Sequence, residues 1–191
     1  MNTVLDILQG IGVSCATGIR PFLPTLLVGA LARADLGVDF DGTQFAFLES
    51  EWFLLAVVVA LVVSVLFRAR LETPAGLATL QGIGIGLGAL LFAGTLDDGH
   101  DVWWPGLVGG VLCAAFVSTV VRALFTRTRA RLDAAAAAAL FLYAEAAALV
   151  LSGLSVLLPP FGLVGLGFFV WLRAGGRRRE GEKFAGLRIL R

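Results

Sequence analysis

Few residues in this chain have the types and spacing to do chemistry. The first is Arg20, which stands between Gly18 and Pro21 inside residues 4–34, a stretch otherwise mostly apolar. Gly18 can take the backbone angles that end a helix, and Pro21 suits the start of the next. A helix that begins at Pro21 points its amide groups back at the arginine, and such an end favours anions. The guanidinium adds a full charge and a planar fork that matches phosphate or carboxylate. Thr17 adds a hydroxyl one turn earlier. The competing reading makes Arg20 an interfacial anchor whose head reaches water. The second such residue is Glu145, in Leu142-Tyr143-Ala144-Glu145-Ala146, with apolar residues on both sides for several turns. A lone carboxylate in hydrocarbon is costly, so it must be protonated, paired or turned into a polar cavity. It is read as a proton carrier or as the partner of Arg20, against a purely structural pair.

Other candidate chemistry is thin. Gln9 and Gln81 occupy equivalent places in two similar segments; each could hydrogen-bond across the interface between the repeats, where transporters place their substrate, and both are read as substrate-binding candidates. Gly82, Gly84, Gly86 and Gly88 contain overlapping GxxxG spacings, which let another helix approach closely, and helix packing is the favoured role. His100 with Asp97, Asp98 and Asp101 reads as a solvated loop, so no metal is expected. Cys15 and Cys113 lie in apolar blocks and read as small buried residues. There is no HExxH, nucleophile elbow or kinase-type loop, so no catalytic residue and no cofactor is expected.

These residues must be positioned by membrane spans. The chain has 191 residues, 58% of them hydrophobic and 15% charged, with mean hydropathy +0.90. Soluble domains carry about 25% charged residues. The apolar residues fall in blocks at 4–33, 52–67, 75–96, 102–121, 134–158 and 161–172, with Pro159-Pro160 separating the last two. A crossing helix needs roughly 20 apolar residues. The third to fifth blocks qualify, while the second and sixth are short. Arg68 and Arg70, then Arg122, Arg127, Arg129 and Arg131, then Arg173 to Arg191 follow alternate blocks, and acidic loops at 35–51 and 97–101 occupy the other turns. The positive-inside rule makes the basic segments, including the C-terminus, cytoplasmic. Trp52, Trp103 and Trp104 mark the opposite boundary.

Leu8-Gln9-Gly10-Ile11-Gly12 recurs as Leu80-Gln81-Gly82-Ile83-Gly84, and Pro24-x-Leu26-x-x-Gly29-x-Leu31 recurs as Pro105-x-Leu107-x-x-Gly110-x-Leu112. This suggests one repeat at about 4–67 and another at about 75–158, each of three segments. An odd number inverts the second copy, the plan of many transporters. The expected fold is all-α, a polytopic bundle of about six to seven helical segments over 1–174. A short extra helix at 161–173 is followed by a basic cytoplasmic tail at 175–191. Residues 4–34 are read either as a hairpin with its tip at Arg20, broken or re-entrant, or as one long kinked span.

Gly18-Ile19-Arg20-Pro21-Phe22-Leu23-Pro24 and the closing Lys183-Phe184-Ala185-Gly186-Leu187-Arg188-Ile189-Leu190-Arg191 resemble a family of small bacterial membrane proteins described only as a domain of unknown function. The resemblance implies the membrane class and draws attention to Arg20, but carries no activity. The functional expectation is a non-catalytic transporter or lipid flippase for an anionic, phosphate- or carboxylate-bearing substrate, proton-coupled through Glu145. It would sit in the bacterial plasma membrane in contact with lipids, as a possible homodimer, with no nucleic-acid partner. The alternative is an accessory membrane protein that packs on a partner through its glycine faces.

Overall fold

The computed structural model describes residues 3–71, 73–100, 103–129 and 134–185. Among them the secondary structure is helical throughout: α1 (Thr3–Ile19), α2 (Phe22–Arg33), a 3-10 turn (Ala46–Glu49), α3 (Glu51–Leu66), the single turn α4 (Arg68–Leu71), α5 (Pro74–His100), α6 (Trp104–Arg129), α7 (Ala134–Leu157) and α8 (Phe161–Ala185). Local chemistry sets several boundaries. Ser50 caps α3 by accepting from the Phe53 amide at 3.3 Å. Thr73 does the same for Gly76 at 3.2 Å, with Pro74 opening α5. Pro159-Pro160 forms the turn between α7 and α8.

Three segments are long and apolar enough to cross a membrane: Ala75–Asp97, Trp104–Thr128 and Ala139–Leu157. Many large apolar side chains face outward, among them Val59, Val62, Leu112, Leu142, Val164 and Trp171. Such a surface suits lipid and not water, and the protein is a helical membrane protein.

The direction of α2 is decided by contacts of α1. The Gln9 side chain donates to the Gly37 carbonyl at 2.7 Å, and Val13, Val28, Ala32, Val38 and Phe40 share one core cluster. A continuous kinked span would carry Gly37 far from Gln9. The chain therefore turns back at Arg20, and residues 3–33 form a hairpin. Its arms part beyond the tip, and α7 packs against both.

Helix α1 is the centre of the bundle, packed on α5, α6, α7 and α8. It runs antiparallel to α5: Ser14 donates to the Gly88 carbonyl at 2.9 Å, Thr17 lies on Gly84, and Gly10 lies on Phe92. These approaches need glycine. A Cβ at Gly84 would stand 2.7 Å from the Thr17 carbonyl oxygen, and one at Gly88 would stand 2.5 Å from the Thr17 hydroxyl. Gly82 and Gly86 differ from the packing role expected of them. Both are exposed, and a Cβ on either would meet nothing within 4 Å. Beyond α1 and α5 the two similar halves diverge: α6 packs along α5, whereas α2 leaves α1, and α3 packs on α2, the 3-10 turn and α4.

The acidic segments gather at one end. The Gln44 amide donates to Asp97 at 3.0 Å, and Phe45 meets Trp103 edge-on with ring centroids 6.3 Å apart. Asp39, Asp41 and Glu49 also come together there, within 4.8 Å of one another. Partial burial and the neighbouring Asp41 and Asp39 push the Glu49 carboxyl above its ordinary range. The side chains of Asp98 and His100, and all of Asp101, lie outside the described residues. Helix α8 extends past the expected end at 173 to Ala185, so the first part of the basic tail continues that helix; residues 186–191 lie outside the description.

Candidate functional site

The hairpin tip stops inside the bundle. Thr17 packs on Gly84, so Arg20 comes level with about Gln81, roughly 10 Å along α5 from Pro74 at 1.5 Å per residue. Helix α1 holds its form up to the tip, where the Arg20 amide still donates to Ala16 at 3.1 Å. Pro21 then directly precedes α2 in helical conformation. Gly18 sits where a Cβ would come 2.6 Å from the Ala114 carbonyl oxygen, which presses the tip against α6.

From this tip Arg20 reaches α7. Its Nε lies 3.6 Å from Glu145 Oε1, with the two side chains only 14% and 13% exposed. The guanidinium also lies 4.1 Å from the Phe141 ring centroid and 5.9 Å from that of Phe125. A cation held on ring faces gains attraction and loses conformational freedom. At 3.6 Å the ion pair is loose, outside the range of a good hydrogen bond, and Glu145 Oε2 has no hydrogen-bond partner.

Arg20 and Glu145 line a cavity of about 180 Å³ together with Thr17, Gly18, Pro21, Gln81, Ser118 and Arg122. The structure thus brings Glu145 together with the candidate binding residues of the sequence, Gln9 excepted. Gln9 sits away from this cavity, bonded to the Gly37 carbonyl and 3.5 Å from that of Val156. Gln81, its counterpart, accepts from Arg122 at 2.6 Å and donates to Ser118 at 2.9 Å. Antiparallel packing of α1 and α5 sends the two glutamines to opposite ends. The expected bond across the interface is replaced by these separate partners.

Two cavity residues had no signal of their own in the sequence. Arg122 read as one of several basic residues at a span's end, and Ser118 as a small residue in an apolar block. Their spacing of four on α6 does put them on one face, but only packing against Gln81 places both at the cavity, Ser118 buried and Arg122 exposed at its edge. Asp6 is buried as well, on the first turns of α1.

The arrangement can hold an anion. Among the described residues the charged groups lining the cavity are Arg20, Arg122 and Glu145. No metal-ligating cluster lies in it among those residues; the acidic trio is on the loop at the other end. Neither a curated protein nor a solved structure matches the chain significantly. Over residues 7–177 the chain matches the model of a domain of unknown function, DUF4126, and it belongs to that family.

Proposed function

We propose that this protein is a small, non-catalytic membrane transporter, or a flippase, for an anionic substrate bearing phosphate or carboxylate. The observation that carries the reading is the cavity at the hairpin tip, with Arg20 held loosely against Glu145 at 3.6 Å. An ion pair built only for stability closes its hydrogen bonds. This one stands 3.6 Å apart and leaves Glu145 Oε2 without a hydrogen-bond partner among the described residues. Protonation of Glu145 would release Arg20 for an incoming anion, so proton and anion would favour each other's binding, as linkage requires. The antiparallel packing of the two similar helices α1 and α5 supports an inverted-repeat origin. The hairpin's arms, about 25 and 18 Å long at 1.5 Å per residue, suit a re-entrant element with its tip on the cytoplasmic half of a bacterial plasma membrane and the C-terminus inside.

The test is native mass spectrometry of the detergent-purified protein beside Arg20→Ala, with bound molecules identified. Wild type should retain an anionic lipid or a phosphate or carboxylate compound that the variant loses. The same unselective lipids on both would overturn the reading. A second reading, an accessory protein that packs on a partner or on its own copy, is favoured by the open small-residue face at Gly82 and Gly86. It predicts that Gly82→Leu and Gly86→Leu abolish function while Arg20→Ala and Glu145→Gln do not.

A further inference from the structure

The α5–α6 side of the cavity carries a polar network of its own. Gln81 uses both ends of its amide, donating to Ser118 and accepting from Arg122. Ser118 in turn donates to the Ala115 carbonyl at 2.9 Å. An arginine that only anchors a helix end in the headgroup region needs no such support, because its head is free to find water and lipid. Here the guanidinium, although exposed, donates from one nitrogen to a glutamine that is itself bonded to Ser118, and it lines the same cavity as Arg20. Fixing a long side chain in advance removes an ordering cost from ligand binding.

Charge narrows the ligand. With Glu145 ionised the cavity's three charged side chains sum to +1, and with it protonated to +2. A monoanion such as a carboxylate is matched by the first state. A doubly charged phosphate is matched by the second, and it has more acceptor oxygens to engage two guanidinium forks. Volume narrows it further. A cavity of about 180 Å³ has room for an inorganic phosphate or the phosphate end of a larger molecule, since about 10–15 Å³ of such space already holds a water. Ser64 on α3 and Leu77 on α5 both line the cavity although α3 and α5 are not closely packed, and a lipid headgroup would enter between them.

We infer that Arg122, braced by Gln81 and Ser118, is the second arm of the anion site, and that the group held between it and Arg20 is a doubly charged phosphate, free or at the head of a lipid. The inference rests on the anion-binding reading above. It adds that phosphate is taken up together with a proton on Glu145.

Calorimetric titration of the full-length protein in phosphatidylcholine nanodiscs tests it, with inorganic phosphate, acetate and dioctanoyl phosphatidic acid as probes. In wild type, phosphate or phosphatidate should bind at least about tenfold tighter than acetate, the factor expected for one further hydrogen-bonded charge. Arg122→Gln should remove that preference, weakening phosphate and phosphatidate binding more than acetate binding. Gln81→Leu should weaken phosphate less, because the charge remains but is no longer braced; it carries the test if Arg122→Gln loses its monodisperse peak. The binding heat should vary with buffer ionisation enthalpy in wild type, reporting proton uptake, and lose that dependence in Glu145→Gln. Phosphatidate binding without inorganic phosphate binding assigns the phosphate to a lipid, and equal competition by inorganic phosphate assigns it to a free anion. If Arg122→Gln and Gln81→Leu keep the wild-type preference for phosphate, the inference fails while the Arg20 site stands. If wild type binds none of the probes but native mass spectrometry still finds an Arg20-dependent anion, the inference fails alone; if both are negative, both fail.

Discussion

Arg20 is held by two different forces, a carboxylate and the face of Phe141. They fail differently on mutation. Glu145→Gln removes the charge but keeps the shape, leaving Arg20 on its ring. The loss of stability should fall between the roughly 0–1 kcal/mol of an exposed pair and the about 3–5 kcal/mol of a fully buried one, because the cavity admits solvent. Thermal unfolding in one detergent measures it. The charge swap Arg20→Glu with Glu145→Arg should recover part of the folded yield lost in each single variant. It should not recover anion retention, because the guanidinium would then start from α7 and leave the hairpin tip, where a carboxylate would stand instead. A swap no better folded than either single variant would show that the pair contributes little to the fold. The glutamate and the arginine were both legible as intramembrane charges, since either alone is costly there. Arg122 was not, because an arginine at a helix end looks the same whether it faces headgroups or a cavity.

At the scale of elements, α5 shows how one glycine pattern divides into two roles. Gly84 and Gly88 face α1, and Gly82 and Gly86 face outward. Gly84→Leu and Gly88→Leu should each destabilise by about 1–3 kcal/mol or more through overpacking. Gly82→Leu and Gly86→Leu should leave the monomer's thermal midpoint unchanged or slightly raised, since glycine disfavours a helix by about 1 kcal/mol. Equal losses at all four would contradict the packing described. The alternation Gly-x-Gly in the sequence promised close approach without saying by which face. A period of two places successive glycines about 200° apart on a helix of 3.6 residues per turn, so no single neighbour contacts them all.

For the whole molecule, the hairpin determines where the ends of the chain lie. Helix α1 begins beside the acidic loops, where Gln9 meets Gly37 and the start of α8 passes over Gly12. Helix α8 then runs to the opposite, basic end. The termini should therefore be on opposite sides of the membrane, the C-terminus inside and the N-terminus outside. Reporter fusions or protease protection of tags at each end measure this directly; both tags on the cytoplasmic side would restore the kinked-span alternative and remove the hairpin. Gln9→Leu should loosen the anchoring of the 34–50 loop and leave anion binding intact, as its bonds lie away from the cavity.

Composition and spacing were sufficient for the membrane class, for the three long spans and for the gathering of acidic and basic turns at opposite ends. Those features follow from the length of apolar runs and from charges that lipid excludes, and both are local properties of a chain. They also marked Arg20 and Glu145, because an isolated charge in an apolar block has few ways to be accommodated. Which of those ways is used was decided by tertiary structure. The turn at Arg20, the meeting with Glu145 across 125 residues, the bracing of Arg122 and the divergence of the two similar halves all depend on how α1 packs among α5, α6, α7 and α8. Packing sets which side of each helix faces inward, and several arrangements of these apolar helices share one hydrophobic pattern.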